Sequence, residues 1–378
     1  MQVSLNLRSW QKIARKLYFN SNNKGIVCAA TGGGKTIFAL SLFADLVNKK
    51  LIIICPTTQL IDQWIINCQI FLNINRDKIS NTLLKPNYIT IITNKNISKY
   101  CNNVNFSEYM VILDECHHYA TPSNLKWLQK LQNNVLGLSA TIERKYDNFI
   151  QDILIPNVGN VIFNYTLNDA INDGVIVPFD IENYFIHPSE YEKDEIEKIT
   201  KKIGRALAID KNSDVKFLAI KKRRLINNID KRIDIAVELV KRNNGIKKIL
   251  FCESIDQSIN IYNKLIESGY HCSIYHSKMS KKERLQNLNE FSIGASLSLI
   301  GCKALDEGFD IPEITLGIVV SQSKSSRQRI QRIGRTLRIS NNKVRSRILT
   351  IYSDESEYKE LRKETILYKF GSVKWFKT

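Results

Sequence analysis

Gly25-Ile26-Val27-Cys28-Ala29-Ala30-Thr31-Gly32-Gly33-Gly34-Lys35-Thr36 opens on an apolar run and closes on three glycines, a lysine and a threonine. The run Gly25–Ala30 suits a buried strand, and a helical pattern follows Lys35. A glycine-rich turn between strand and helix lets backbone N–H groups approach phosphate oxygens, and the helix N-terminus favours their charge. Thr31, Gly32, Gly33 and Gly34 would form the cradle, Lys35 would reach the terminal phosphates of a nucleotide, and Thr36 would hold Mg2+. Ala29 stands where such loops usually begin with glycine. The alternative is a purely structural glycine turn, and a Lys-Thr pair at a strand-to-helix junction argues against it.

Working outward, apolar runs alternate with helical patterns. Strands are expected at Leu51–Cys55, Ile89–Thr93, Tyr109–Asp114 and Val135–Ser139, with a helix after Pro56. The alternation returns at Lys248–Cys252, Cys272–Tyr275, Leu297–Gly301, Leu316–Ser321 and Arg347–Tyr352, with helices near Ser254–Ser268, Lys281–Phe291 and Arg327–Leu337. Alternating strands and helices with short connections predict α/β architecture with mostly parallel sheets. The length of 378 residues suits two domains. The expected division is 1–170, a connecting segment 171–242 of charged helices, and 243–378. Within the connecting segment, the run Lys221-Lys222-Arg223-Arg224 reads either as a solvated helix face or as a phosphate contact.

The chain carries a formal net charge of +18, of which +7 falls on residues 1–170 and +11 on the rest. Both halves would attract a polyanion such as nucleic acid. The chain is also rich in Asn, Ile and Lys, as an AT-rich genome encodes, so charge alone leaves nucleic-acid binding open. The eight cysteines include no Cys-x-x-Cys pair, and Cys28, Cys55, Cys252 and Cys302 lie in or beside apolar runs. Buried thiols are expected, with no zinc site and no disulfide. Neither a long apolar span nor a signal peptide is apparent, so a cytoplasmic or nuclear protein is expected, or a viral one inside a host cell, without membrane attachment.

Asp114-Glu115-Cys116-His117 ends the apolar strand that begins at Tyr109. A carboxylate at a strand end beside a phosphate loop can hold Mg2+, and its neighbour can orient and deprotonate an attacking water. Asp114 is assigned to the metal and Glu115 to the water. Further on, Arg335 and Arg338 share a helical face by their spacing. Taken alone, such a basic helix reads as a surface or a nucleic-acid contact.

In their order, these segments resemble the motifs of superfamily 2 helicases, and the resemblance runs from Leu7 to Arg338. Leu7-Arg8-Ser9-Trp10-Gln11 resembles the adenine-reading Q motif, which implies Gln11 on the base edge and Arg8 beside it. Ala30–Thr36 is similar to motif I and the DECH tetrad to motif II. Pro56-Thr57-Thr58-Gln59-Leu60 resembles motif Ia, which implies backbone contact with nucleic acid; Ile92-Thr93 stands in for a weaker motif Ib, which adds Thr93. Ser139-Ala140-Thr141 resembles motif III and Phe251-Cys252-Glu253-Ser254 motif IV. Gly301–Pro312 resembles motif V, which places Gly308 and Asp310 at the nucleotide. Gln331–Arg338 resembles motif VI, which makes Arg335 and Arg338 arginine fingers.

The Leu-Arg-x-x-Gln opening, the DECHH box and the Glu-Gly-Phe-Asp-Ile-Pro stretch look most like the branch holding RadD-like and XPB-like helicases, with phage and poxviral helicases near it. The resemblance implies two tandem RecA-like domains with ATP and Mg2+ between them, and catalysis by Lys35, Glu115, Arg335 and Arg338. It implies a motor on nucleic acid, DNA before RNA, in repair, recombination or replication, with a loading partner possible. An RNA-directed ATPase, including one for transcript release, and the motor of a restriction or defence assembly are the alternatives. After Arg338 there is no room for a zinc finger or nuclease, so neither is expected in this chain.

Overall fold

The computed structural model describes residues 6–142, 147–209, 212–302, 314–321, 345–367 and 371–378. The chain divides into two compact units, Met1–Asp173 and Gly174–Thr378.

In the first unit, α1 (Ser9–Asn20) precedes β1 (Lys24–Ala29), α2 (Lys35–Asp45), β2 (Lys50–Cys55) and α3 (Thr58–Leu72). β3 (Ile79–Ser80), β4 (Ile89–Thr93), α4 (Asn94–Tyr100), β5 (Tyr109–Leu113), β6 (Val135–Ser139) and β7 (Val161–Tyr165) follow. The seven strands form one sheet in the order β3-β4-β2-β5-β6-β1-β7, and every pairing is parallel. Such a sheet needs cover on both faces. β5 is accordingly buried at every position, and β2 at all but Lys50. α3 packs through Leu60, Ile61, Trp64, Ile65, Cys68 and Leu72, the spacing of one helical face, and ends at Asn73 in the left-handed region, φ 50°.

The second unit contains β8 (Phe179–Phe185), α5 (Glu190–Ala208), α6 (Asn212–Asn227), α7 (Asp230–Arg242), β9 (Lys248–Cys252) and α8 (Ile255–Glu267). β10 (Ser273–Tyr275), α9 (Lys281–Ser292), β11 (Ser298–Cys302), β12 (Leu316–Val319), β13 (Ser346–Tyr352), α10 (Glu355–Leu367) and β14 (Val373–Lys377) follow among its described residues. Among the described residues its sheet also has seven strands, ordered β10-β11-β9-β12-β13-β8-β14, again with parallel pairings. The expected α/β class and the two tandem RecA-like domains are what the structure presents.

The segment 171–242 differs from expectation. It is not only a helical connection, because β8 lies between β13 and β14 in the second sheet, in register from Phe179 opposite Ser346 to Phe185 opposite Tyr352. The charged helices α5 and α6 are an excursion from that sheet. All eight cysteines are buried, and no described helix is long and apolar enough to cross a membrane.

Arg232 on α7 ties the second unit together. Its side chain is fully buried and donates to Ile226 O, Val320 O, Ile351 O, Ser353 Oγ and Glu357 Oε2 at 2.6–3.0 Å. A buried guanidinium tolerates desolvation only when its donors are met this fully. Arg232→Ala removes the ion-pair partner of the Glu357 carboxylate, which keeps only the Ser353 donors, and the donors to three carbonyls, so it should cost about 3–5 kcal/mol in urea unfolding. Arg232→Lys should restore little, since an ammonium cannot span the same fork. A loss under about 1 kcal/mol would show that the network is dispensable.

Candidate nucleotide site

The phosphate loop begins where β1 ends. Ala29 is the last, fully buried residue of the strand, so a side chain is tolerated there. Three glycines follow for different reasons. Gly32 and Gly34 have φ of 84° and 100°, a region that side chains disfavour. A Cβ on Gly33 would lie 2.9 Å from Ala30 O. The turn closes with Gly33 N–H on Ala30 O at 2.9 Å. α2 then starts at Lys35 without a side-chain cap, leaving its first N–H groups for an anion.

The Q-like segment braces this loop. Arg8 Nη1 and Trp10 Nε1 both donate to Gly33 O, at 2.8 and 3.1 Å, and Gln11 Nε2 donates to Gly34 O at 2.9 Å. Gln11 Oε1 accepts the Arg8 amide at 2.7 Å, so both ends of that amide are engaged. Trp10 stacks on Tyr165 with ring centroids 4.9 Å apart. Sequence reasoning put Gln11 on the base edge with Arg8 beside it; in the structure Arg8 Nη1 and Gln11 Nε2 donate to loop carbonyls. It gave Trp10 no role.

β5 delivers the acidic pair to the same sheet edge. Asp114 N–H continues the ladder to Ile54 O at 2.9 Å. Its carboxylate accepts Trp64 Nε1 at 2.8 Å on Oδ2 and Glu115 N at 3.1 Å on Oδ1. Burial, then the adjacent Glu115 charge, pushes the Asp114 carboxyl up to about 6, against the pull of the Trp64 N–H and Lys35. Glu115 takes φ 47°, a left-handed conformation that costs a non-glycine residue about 1–3 kcal/mol. The turn brings Glu115 Oε1 to 3.2 Å from Lys35 Nζ.

Glu115 Oε2 is buried without a hydrogen-bond donor, although His117 Nδ1 stands 3.5 Å away. Separation and geometry make that contact electrostatic rather than a hydrogen bond. His117 Nδ1 lies 2.9 Å from Ser139 Oγ, and Ser139 Oγ donates to Thr141 O at 2.5 Å. Serine has one hydroxyl hydrogen, so the hydrogen shared with His117 belongs to Nδ1. The DECH and Ser-Ala-Thr segments are thereby joined through one imidazole.

The structure thus brings Lys35, Asp114 and Glu115 together, with Thr36 following Lys35 on α2. An unpaired carboxylate oxygen beside a lysine and a helix N-terminus suits a polarised water and a metal-bound phosphate, so this donor set fits Mg2+ with a nucleotide. Thr93 ends β4 opposite Cys55, the last residue of β2, and Thr57 follows two residues later as the N-cap of α3. Thr57 Oγ1 is buried without a hydrogen-bond partner, as is Asn94 Oδ1. Pro56 and Thr58 flank Thr57 at the start of α3. Gly308, Asp310, Arg335 and Arg338, with the helix expected at Arg327–Leu337, lie outside the described residues. Trp64 and His117 are contacts that sequence reasoning left without roles; the signal was a tryptophan and a histidine on the very segments it had singled out.

Two family models match. Residues 4–144 match the type III restriction enzyme res subunit, and residues 231–340 match the helicase conserved C-terminal domain. The chain is 26% identical over 352 residues to the DNA 3'-5' translocase XPB2 of Sulfurisphaera tokodaii, covering 88% of this chain and 79% of that one. It is 24% identical to putative helicase 22 of Sulfolobus islandicus filamentous virus, covering 91% and 64%. It is 23% identical to probable helicase A859L of African swine fever virus, covering 91% and only 40% of the longer relative. Among solved structures, Saccharomyces cerevisiae Dbp5 bound to RNA and ADP BeF3 has a TM-score of 0.66 at 15% identity, covering 98% of this chain and 89% of that one. The helicase domain of Pyrococcus furiosus Hef has a TM-score of 0.57 at 16% identity, covering 95% and 98%. At such identity these structures speak to the fold.

Proposed function

We propose, from the premise that this chain belongs to the superfamily 2 helicases, that it is an ATP-driven translocase or helicase acting on DNA. The observation that carries the reading is the meeting of Lys35, Asp114 and Glu115 at the mouth of the glycine loop. Lys35 and the α2 N-terminus bind the phosphates. Thr36 and Asp114 would hold Mg2+, which when bound neutralises charge on the phosphate oxygens. Glu115 orients the attacking water and takes its proton. Arg8, Trp10 and Gln11 hold the loop in its binding shape. Gly308 and Asp310 of the second unit are assigned to the nucleotide, and Arg335 and Arg338 to the charge that develops in transfer.

Pro56, Thr57, Thr58 and Thr93 are assigned to the nucleic-acid backbone, a contact that any base sequence satisfies. DNA is preferred because the XPB2 relative is named for action on DNA. The restriction-subunit match over residues 4–144 keeps a restriction or defence motor as the second reading.

The deciding experiment is ATPase stimulation by single-stranded DNA, duplex, forked DNA and RNA in parallel. Stimulation by RNA alone would overturn the DNA assignment. Binding should also be strongly electrostatic, given the net charge of +18. Fluorescence anisotropy with a labelled single strand should show affinity falling on the order of 10³-fold between about 50 and about 200 mM salt, linear on logarithmic axes. A flat salt profile would count against backbone-dominated binding.

A further inference from the structure

Trp64 lies on α3, about two turns beyond Thr57, and is 3% exposed. An indole has one N–H and no acceptor, so a buried tryptophan must find a single well-placed partner. Here that partner is Asp114 Oδ2, at 2.8 Å. The other oxygen, Oδ1, accepts the Glu115 amide at 3.1 Å. These two donors, one from the backbone and one from α3, fix the plane of the carboxylate. The helix that supplies the second donor starts at Thr58, directly after Thr57, whose buried hydroxyl lacks a partner. A single 15-residue helix therefore carries the residues assigned to the nucleic-acid backbone at one end and the donor to the metal-assigned carboxylate farther along.

We propose that Trp64 is a positioning residue: its indole N–H holds the Asp114 carboxylate in the orientation that binds Mg2+, and α3 passes nucleic-acid engagement at Thr57 and Thr58 to that carboxylate. The proposal rests on the assignments of Asp114 and of Thr57–Thr58 made above. Its physical basis is the stiffness of a hydrogen-bonded helix and the narrow angular range of an indole donor. A small displacement of α3 shifts the donor relative to Oδ2 and turns the carboxylate with it. Groups that orient a metal ligand in this way commonly change metal affinity by ten-fold or more when removed.

The test uses Trp64→Phe in the full chain, which keeps the ring and deletes the donor. The Mg2+ concentration for half-maximal DNA-stimulated turnover should rise on the order of 10-fold. Affinity for single-stranded DNA should remain near wild type, and the ratio of stimulated to basal rate should fall. Trp64→His, which retains a ring N–H, should recover part of the Mg2+ response. A Phe variant with the wild-type Mg2+ midpoint and stimulation ratio overturns the proposal and leaves Trp64 a packing residue.

Asp114→Asn separates the two levels of the argument. An unchanged Mg2+ response in that variant overturns the metal assignment itself, whereas a changed response there with an unchanged one in Trp64→Phe overturns only the role of Trp64. A measurement on the wild-type chain guards against misfolding of the variants. Labelled with 5-fluorotryptophan, it carries four tryptophans, and the Trp64 fluorine resonance should move on adding Mg2+ with ADP and again on adding single-stranded DNA. A Trp64 resonance indifferent to both additions overturns the proposal.

Discussion

Glu115→Gln binds ATP at close to wild-type affinity and loses DNA-stimulated turnover by about 10²–10⁴-fold, the range associated with a positioned general base. The substitution is nearly isosteric and leaves the glycine loop, Lys35 and Asp114 in place. What it removes is basicity at a carboxylate whose Oε1 faces Lys35 at 3.2 Å and whose Oε2 is buried without a donor. An oxygen so placed has free lone pairs for a water. A glutamine there presents either a weakly basic carbonyl or an N–H2 group, and neither can take the proton. The competing role is that of a counterion, in which Glu115 only neutralises Lys35. Under that view the Gln variant frees the lysine, alters nucleotide affinity, and leaves the chemical step nearly intact. Single-turnover hydrolysis beside equilibrium binding of a fluorescent ATP analogue separates the two, and wild-type single-turnover rates in the variant would sink the general-base assignment.

The parts of this site that were legible in the sequence are those carried on contiguous stretches. Gly32 to Thr36 and Asp114 to His117 each follow a buried strand, so the residues, their element and their chemistry stand together in the chain. The parts that were not legible are bonds between stretches. Trp64 and Asp114 are 50 residues apart, and Arg8 and Gly33 are 25 apart. No periodicity or spacing encodes such pairs. The same holds for the second sheet. β9, β11 and β12 announce themselves as short apolar runs because both faces are covered. β8 alternates Phe, Asp, Ile and Glu, and no strand was expected in a segment dominated by the charged helices that follow it. Asp180 and Glu182 are answered by Arg345 and Arg347, 165 residues away, at 2.6 and 2.8 Å. Only the partner turns an apparent surface charge into a paired position on an interior strand.

Lys35→Ala should act on both binding and chemistry, unlike the glutamate change. Lys35 is partly buried, with 14% of its side chain exposed, and it stands at the first position of α2, where the open helix N-terminus already favours phosphate. Removing the ammonium leaves those N–H groups but deletes the compact positive charge assigned to follow the terminal phosphates into transfer. The loss in turnover at saturating ATP should be on the order of 10²–10³-fold, comparable with deleting one preorganised donor to a developing charge, and ATP affinity should fall as well. Arginine should rescue poorly, because its planar fork is longer and bulkier than the ammonium it replaces in a loop of three glycines. The Ala variant also strips Glu115 of its 3.2 Å partner, so part of any effect could pass through the glutamate. A double-mutant cycle with Glu115→Gln isolates that part: if Lys35 and Glu115 serve the same transfer step, the paired variant should be little worse than the more damaging single change. Strict additivity would mean that the two act independently, and full turnover in Lys35→Ala would remove the loop from catalysis altogether.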